Sequence, residues 1–176
     1  MHKSLLMMGL WLSLSAGANG QPVSNRLNDA SATTVYRNER FGFELAYPSS
    51  VFEPGEVPDS GQGGVFTSRD GAARLLVSAG QNATGETLKS YRQFILNTSY
   101  PDARIEYAPT RGTWFVLSGT TGDTMFYERI TFRCGGKTIY GWQMTYPAAE
   151  RKRYDAIVEA IHRSYRPGRG EGGNCG

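Results

Sequence analysis

Between residues 103 and 146 the chain is cut into short runs of strand character by tight turns. The runs are 103–108, 113–118, 124–134 and 138–146, and the turns are Thr110-Arg111-Gly112, Thr121-Gly122-Asp123 and Gly135-Gly136-Lys137. Strands joined by so few residues pair antiparallel, because a parallel pair needs a crossover of a dozen residues or more. The segment therefore reads as an antiparallel meander. The same signature precedes it. Residues 41–47 alternate, with Phe41, Phe43, Leu45 and Tyr47 on one face, and Pro48 ends the run. Residues 35–38 form a short run before it. Runs at 64–68 and 72–79 flank Arg69-Asp70-Gly71, a hairpin signal. Pro54, Gly55, Pro58, Gly61 and Gly63 mark 53–63 as a loop.

Two segments change period. Over 86–98, Leu88, Tyr91, Phe94 and Ile95 fall on one helical face, with Thr84 as the expected N-cap. Over 148–165, Tyr154, Ile157, Val158, Ile161 and Tyr165 form an apolar stripe, and Pro167-Gly168 stops the helix. Two helices on a mainly antiparallel sheet make an α+β fold.

The first twenty residues read as a secretory signal: His2 and Lys3, an apolar run over 5–14, then Ser15-Ala16-Gly17-Ala18. That run is about half the ~20 residues a membrane-spanning helix needs, and no later stretch is apolar enough to span. Residues 21–34 read as a polar arm, 35–166 as one domain and 167–176 as a Gly-rich tail. The expected location is the bacterial periplasm or the extracellular space. Aromatic residues make up 12% and charged residues 20% of the chain, a composition that excludes a wholly disordered protein.

Two cysteines remain, Cys134 and the penultimate Cys175. An even count in an exported chain favours a disulfide. A Cys134–Cys175 bridge closes a loop of about 40 residues, worth roughly 4 kcal/mol in the chain-entropy model, and ties the tail down. An intermolecular bridge and two free thiols are the alternatives.

The stretch Tyr36-Arg37-Asn38-Glu39-Arg40-Phe41-Gly42-Phe43, followed by Tyr47-Pro48, resembles the opening of PsbP-like domains. The hairpin Phe66-Thr67-Ser68-Arg69-Asp70-Gly71, the central helix and a last helix after Tyr146-Pro147 are also similar. The resemblance covers about residues 35–166 and implies an α/β/α sandwich around an antiparallel sheet. It implies no activity, since relatives of this fold serve as accessory subunits or adaptors.

Without the leader the chain has one histidine, His162. A zinc site needs three or four suitable ligands, and neither His-Glu-x-x-His nor Cys-x-x-Cys is present. A Ser-His-Asp triad would have to use His162, but no Gly-x-Ser-x-Gly elbow exists to serve it. His162 is therefore read as a packing or surface residue. Gly61-Gln62-Gly63-Gly64 lacks the lysine and the following helix of a phosphate loop. No cofactor is expected. Glu128 shares a strand face with Phe126, Ile130 and Phe132, which marks it as a buried acid needing a partner.

Charge is uneven. Residues 111–176 carry ten basic and six acidic groups. Arg151, Lys152, Arg153, Arg163, Arg166 and Arg169, with Arg129 and Arg133 on an outward strand face, form a patch suited to an anionic partner. In an envelope that partner is a protein or an anionic envelope component. No nucleic-acid motif is present. The leading expectation is a monomeric, non-enzymatic binding or accessory module. The alternatives are a small carboxylate enzyme around Glu128 and a carrier holding an apolar ligand beneath the strands of Trp114 and Trp142.

Overall fold

The computed structural model describes residues 32–55 and 60–175. The expected leader, and most of the expected arm, lie outside them. The first two strands, β1 (Thr33–Arg37) and β2 (Glu44–Pro48), form a separate antiparallel pair. The main sheet begins with β3 (Phe52–Pro54), β4 (Gly63–Ser68) and β5 (Arg74–Gln81). Helix α1 (Leu88–Thr98) then carries the chain to the far edge. From there β6 (Arg104–Tyr107), β7 (Thr110–Arg111), β8 (Trp114–Thr121), β9 (Thr124–Arg133) and β10 (Thr138–Pro147) return toward β5. The strand order is β3-β4-β5-β10-β9-β8-β6, with β7 also on β8, and every pair is antiparallel. Helix α2 (Arg151–Ser164) follows.

The period of two in β9 and β10 sends successive side chains to opposite faces, and both faces are covered. On one, Tyr140, Trp142, Met144 and Tyr146 pack with Leu75 and Val77 beneath Tyr154, Val158 and Ile161 of α2. Phe41, Phe43, Leu45 and Tyr47 close the same core from the β1–β2 side. On the other, Phe115, Leu117, Phe126, Ile130 and Phe132 pack beneath Ile95 of α1 and Tyr100. The result is an α/β/α sandwich.

Local details depart from the sequence reading for identifiable reasons. The cap of α1 is Thr87, not Thr84. Its hydroxyl accepts from the Ser90 amide and the Ser90 hydroxyl accepts from the Thr87 amide, which satisfies two otherwise free donors. Phe94 is 53% exposed rather than packed, because the helical step places it about 100° away from Ile95. The expected loop 53–63 contains most of β3, an edge strand in which Pro54 is tolerated.

The tail is docked. Cys134 and Cys175 are bridged. The Gly170 amide donates to the Tyr140 hydroxyl, which donates to the Phe41 carbonyl. Glu171 bonds Arg40 and Gln81. A Cβ on Gly168 would lie 1.9 Å from the Phe41 carbonyl oxygen, so only glycine lets the tail pass there. Among the described residues, no helix is long and apolar enough to cross a membrane.

Removing the bridge by Cys134→Ser with Cys175→Ser should lower unfolding free energy by about 4 kcal/mol, from the chain-entropy model applied to a separation of 41 residues. Chemical denaturation measures it. A loss under about 1 kcal/mol would mean that the polar contacts of the tail suffice without the cross-link.

Candidate anion-binding surface

The structure divides the basic residues of the sequence into two groups. At the start of α2, Arg151 reaches Glu106 on β6 at 2.9 Å and Asp155 at 3.2 Å. Arg153 reaches Glu150 at 2.8 Å and Asp70 at 3.5 Å. These side chains fasten the helix to the sheet edge and to the β4–β5 turn, and their charge is locally neutralised. Arg163 pairs with Glu159 at 3.4 Å, both exposed. Arg133, Lys152, Arg166 and Arg169 are exposed and make no ion pair among the described residues. Arg166 donates to the carbonyls of Arg163 and Tyr165, covering the end of α2.

Arg129 requires a correction. It was expected on an outward strand face, but the sheet has a helix on each side and β9 is an interior strand. Arg129 therefore points beneath α2 and is half-buried. Its guanidinium lies 4.7 Å from the centre of the Trp114 ring and 5.6 Å from that of Tyr165, both within cation–π range. Its Nη1 is 3.2 Å from Nε2 of His162. Its Nε is buried without a hydrogen-bond partner, and no carboxylate among the described residues pairs with it. Arg133 lies four residues further along the strand, on the same face.

His162 joins this cluster. Its Nδ1 is 2.7 Å from the Tyr127 hydroxyl. Arg129 Nη1 lies 3.2 Å from Nε2 and 3.5 Å from Nδ1, so the guanidinium straddles the two ring nitrogens. Burial holds the His162 pKa below its ordinary value, and the charges of Arg129 and Arg163 push it the same way. Tyr127 stacks on Trp142 with ring centres 4.9 Å apart, and burial pushes its hydroxyl up to about 12. Tyr127, Arg129, His162 and Tyr165 thus occupy the space beneath Trp114 and Trp142 where a carrier would hold its ligand.

Glu128, the sequence neighbour of Arg129, faces the opposite way beneath α1. The Tyr100 hydroxyl donates to it at 2.7 Å, and Gln143 donates to that hydroxyl at 2.6 Å. Tyr100 lies flat on Phe126 at 3.9 Å. Burial raises the Glu128 pKa, against a smaller opposing effect of the Tyr100 bond. Tyr100 and Gln143 close over the carboxyl. Among the described residues, no cluster of three or more His, Cys, Asp or Glu side chains is placed to hold a metal. The Tyr127–Arg129–His162 cluster escaped sequence reading. Its only signal was the shared parity of Tyr127, Arg129 and Thr131, set against a helix whose inward stripe ends in Ile161 and Tyr165.

No protein-family profile matches the chain, and no curated protein sequence matches it. Solved structures do. The chain is similar to cyanobacterial PsbP (CyanoP) of Synechocystis sp. PCC 6803, at 15% identity and a TM-score of 0.59, over 87% of this chain and 97% of that one. It is also similar to the Ran-binding protein Mog1p of Saccharomyces cerevisiae, at 10% identity and a TM-score of 0.51, over 77% of this chain and 95% of that one. The chain has a PsbP-like fold.

Two titrations check the cluster and the buried acid. Arg129→Met should raise the His162 pKa, followed by the imidazole resonances in NMR, because it removes a neighbouring positive charge. An unchanged or lower value contradicts the geometry. For Glu128 the folded state holds its proton more tightly than the unfolded chain, where the pKa is about 4.3. Wild-type stability therefore falls as pH rises from there through the raised folded value. Glu128→Gln removes that loss, so its melting temperature should match wild type near the bottom of the range and exceed it increasingly toward neutral pH. A variant that matches wild type at low pH and becomes increasingly less stable than it toward neutral pH would instead show an ionised, productively bound carboxylate.

Proposed function

We propose that the protein is an exported, non-enzymatic accessory module that receives an acidic segment of an envelope protein at the C-terminal end of α2. Arg129 is the central anchor, and Arg133, Arg163, Arg166 and Arg169 supply the surrounding field. One observation carries this reading: a half-buried guanidinium, held between Trp114 and Tyr165, has no carboxylate partner among the described residues. A partly desolvated cation without a counter-ion is costly. A carboxylate arriving from outside recovers that cost, and Arg suits the task because its planar fork binds carboxylates in pairs of hydrogen bonds.

Other features support the assignment. His162 is hydrogen-bonded to the Tyr127 hydroxyl and lies against the Arg129 guanidinium, a positive neighbour that opposes its taking up a proton. Glu128 is covered by Tyr100 and Gln143. The disulfide suits an oxidising compartment. The Mog1p neighbour is described as a Ran-binding protein, a precedent for protein binding on this fold. The protein acts as a monomer, with its acidic partner completing the basic surface.

The test is capture of partners from a native envelope extract, identified by mass spectrometry, with phosphatidylglycerol vesicles as a parallel ligand. Binding of one acidic protein should weaken with salt. It should be lost in Arg129→Glu and in the surface double variant Arg133→Glu with Arg166→Glu. Arg151→Glu should retain it. Loss in Arg151→Glu alone, or capture insensitive to salt and to all these variants, overturns the proposal. Vesicle binding with no protein captured moves the surface to lipid.

A further inference from the structure

The face of the sheet opposite α2 carries a second feature. Helix α1 covers β8 and β9, and the core there reaches only as far as Ile139 of β10. Beyond it, Ser78 on β5 is exposed and Val65, Leu76 and Gln143 are half-buried. A groove of about 290 Å³ runs along this boundary, where Gly63, Ser78, Gly141 and Ile130 form one cross-strand row. Its depth comes from missing side chains. A Cβ on Gly80 would meet only the Gln62 amide at 3.9 Å, and one on Gly141 would lie 2.9 Å from the end of Ile130. Ile130 and Ile139 supply apolar floor, and Gln62, Ser78, Thr84 and Tyr91 stand around it.

The chemistry of this lining is selective. Among the described residues it contains no charged one, although charged residues make up 20% of the chain. Amide and hydroxyl groups donate and accept hydrogen bonds without charge. Tyr91 packs edge-on against Phe132 at 5.7 Å, which holds its ring in place, and Phe94 continues the aromatic surface 6.1 Å away. Phe94 is 53% exposed. The half-buried Tyr91 ring thus stands at the groove with the exposed Phe94 beside it, an aromatic surface open to a ligand. The groove cannot take a peptide by strand addition, because β5 and β10 are paired on both sides and present no free edge. Interleaved amides and hydroxyls suit an acyl chain poorly. A sugar ring has what the groove offers to bind: hydroxyls for the amides and an apolar C–H face for the aromatic rings.

We propose that the groove over β5 and β10, with Tyr91 and Phe94 as its aromatic platform, binds a neutral oligosaccharide. It lies on the opposite side of the sheet from the Arg129 surface, and its success or failure leaves that surface untested and unaffected. The experiment is an amide NMR titration of the folded protein with chitotetraose, cellotetraose and maltotetraose at millimolar concentration. At least one should shift the amides of Ser78, Gly80, Thr84 and Gly141 together. Phe94→Ala, which removes an exposed side chain outside the core, should weaken that sugar about tenfold. Ser78→Trp, which fills the groove from an exposed position, should abolish the shifts while leaving the rest of the spectrum intact. The proposal is overturned if none of the three sugars moves these amides, if the shifts survive Ser78→Trp, or if they map to the β9–α2 cluster instead.

Discussion

Strand β10 lies between β5 and β9 and pairs with both along almost its whole length, and the remainder of the molecule is arranged around its two faces. One face carries Tyr140, Trp142, Met144 and Tyr146 into the larger core. The other borders the smaller core under α1. Because both faces of the neighbouring strand β9 are also covered along its middle, the charged residues there have no easy route to solvent. Glu128 and Arg129 show the consequence. They are adjacent and opposite in charge, yet the period of two directs them to opposite sides of the sheet. They do not form a pair, and each meets a different environment. Glu128 finds the Tyr100 hydroxyl and a dry setting that favours its protonated form. Arg129, which cannot lose its proton, finds aromatic faces and a neutral imidazole.

The α2 side of the sheet therefore keeps a positive charge that no carboxylate among the described residues neutralises. The ion pairs at the start of α2 sharpen the contrast. Exposed pairs such as Arg153 with Glu150 contribute little to stability individually, but they cancel the charge at that end of the helix. The field that remains is concentrated around Tyr165, where Arg129, Arg133 and Arg166 converge. A surface so arranged favours one orientation of an acidic partner and discourages basic ones.

Much of this fold was legible in the sequence. The glycine turns between 108 and 138 determined the meander, and the alternation of Phe41, Phe43, Leu45 and Tyr47 marked a face that is buried as expected. The Cys134–Cys175 bridge was legible from a penultimate cysteine in a tail with little else to order it. The burial of Glu128 followed from its apolar companions on the strand. Arg129 was misplaced because alternation reports which residues share a face and is silent on whether the second face is covered. That depends on α2 folding back over the sheet, a long-range event with no local trace on the strand. Phe94 and the Thr87 cap differ for the opposite reason: the apolar stripe is broad enough to include a residue that the helical angle turns to solvent, and two threonines three residues apart offer the same capping chemistry. Thr84 lies instead in the loop before α1, which Asn82 fastens by donating to the carbonyls of Glu86 and Gly136.

Arg129 is the cation left to meet an anion, while Arg151 and Arg153 are already satisfied. The most direct measurement follows the arginine Nε–Hε resonances during titration with a pentaglutamate peptide. The Arg129 signal should shift and saturate, with Arg133 and Arg166 moving alongside it and Arg151 and Arg153 almost still. Movement confined to Arg151 and Arg153, with Arg129 unperturbed at saturation, would contradict the account.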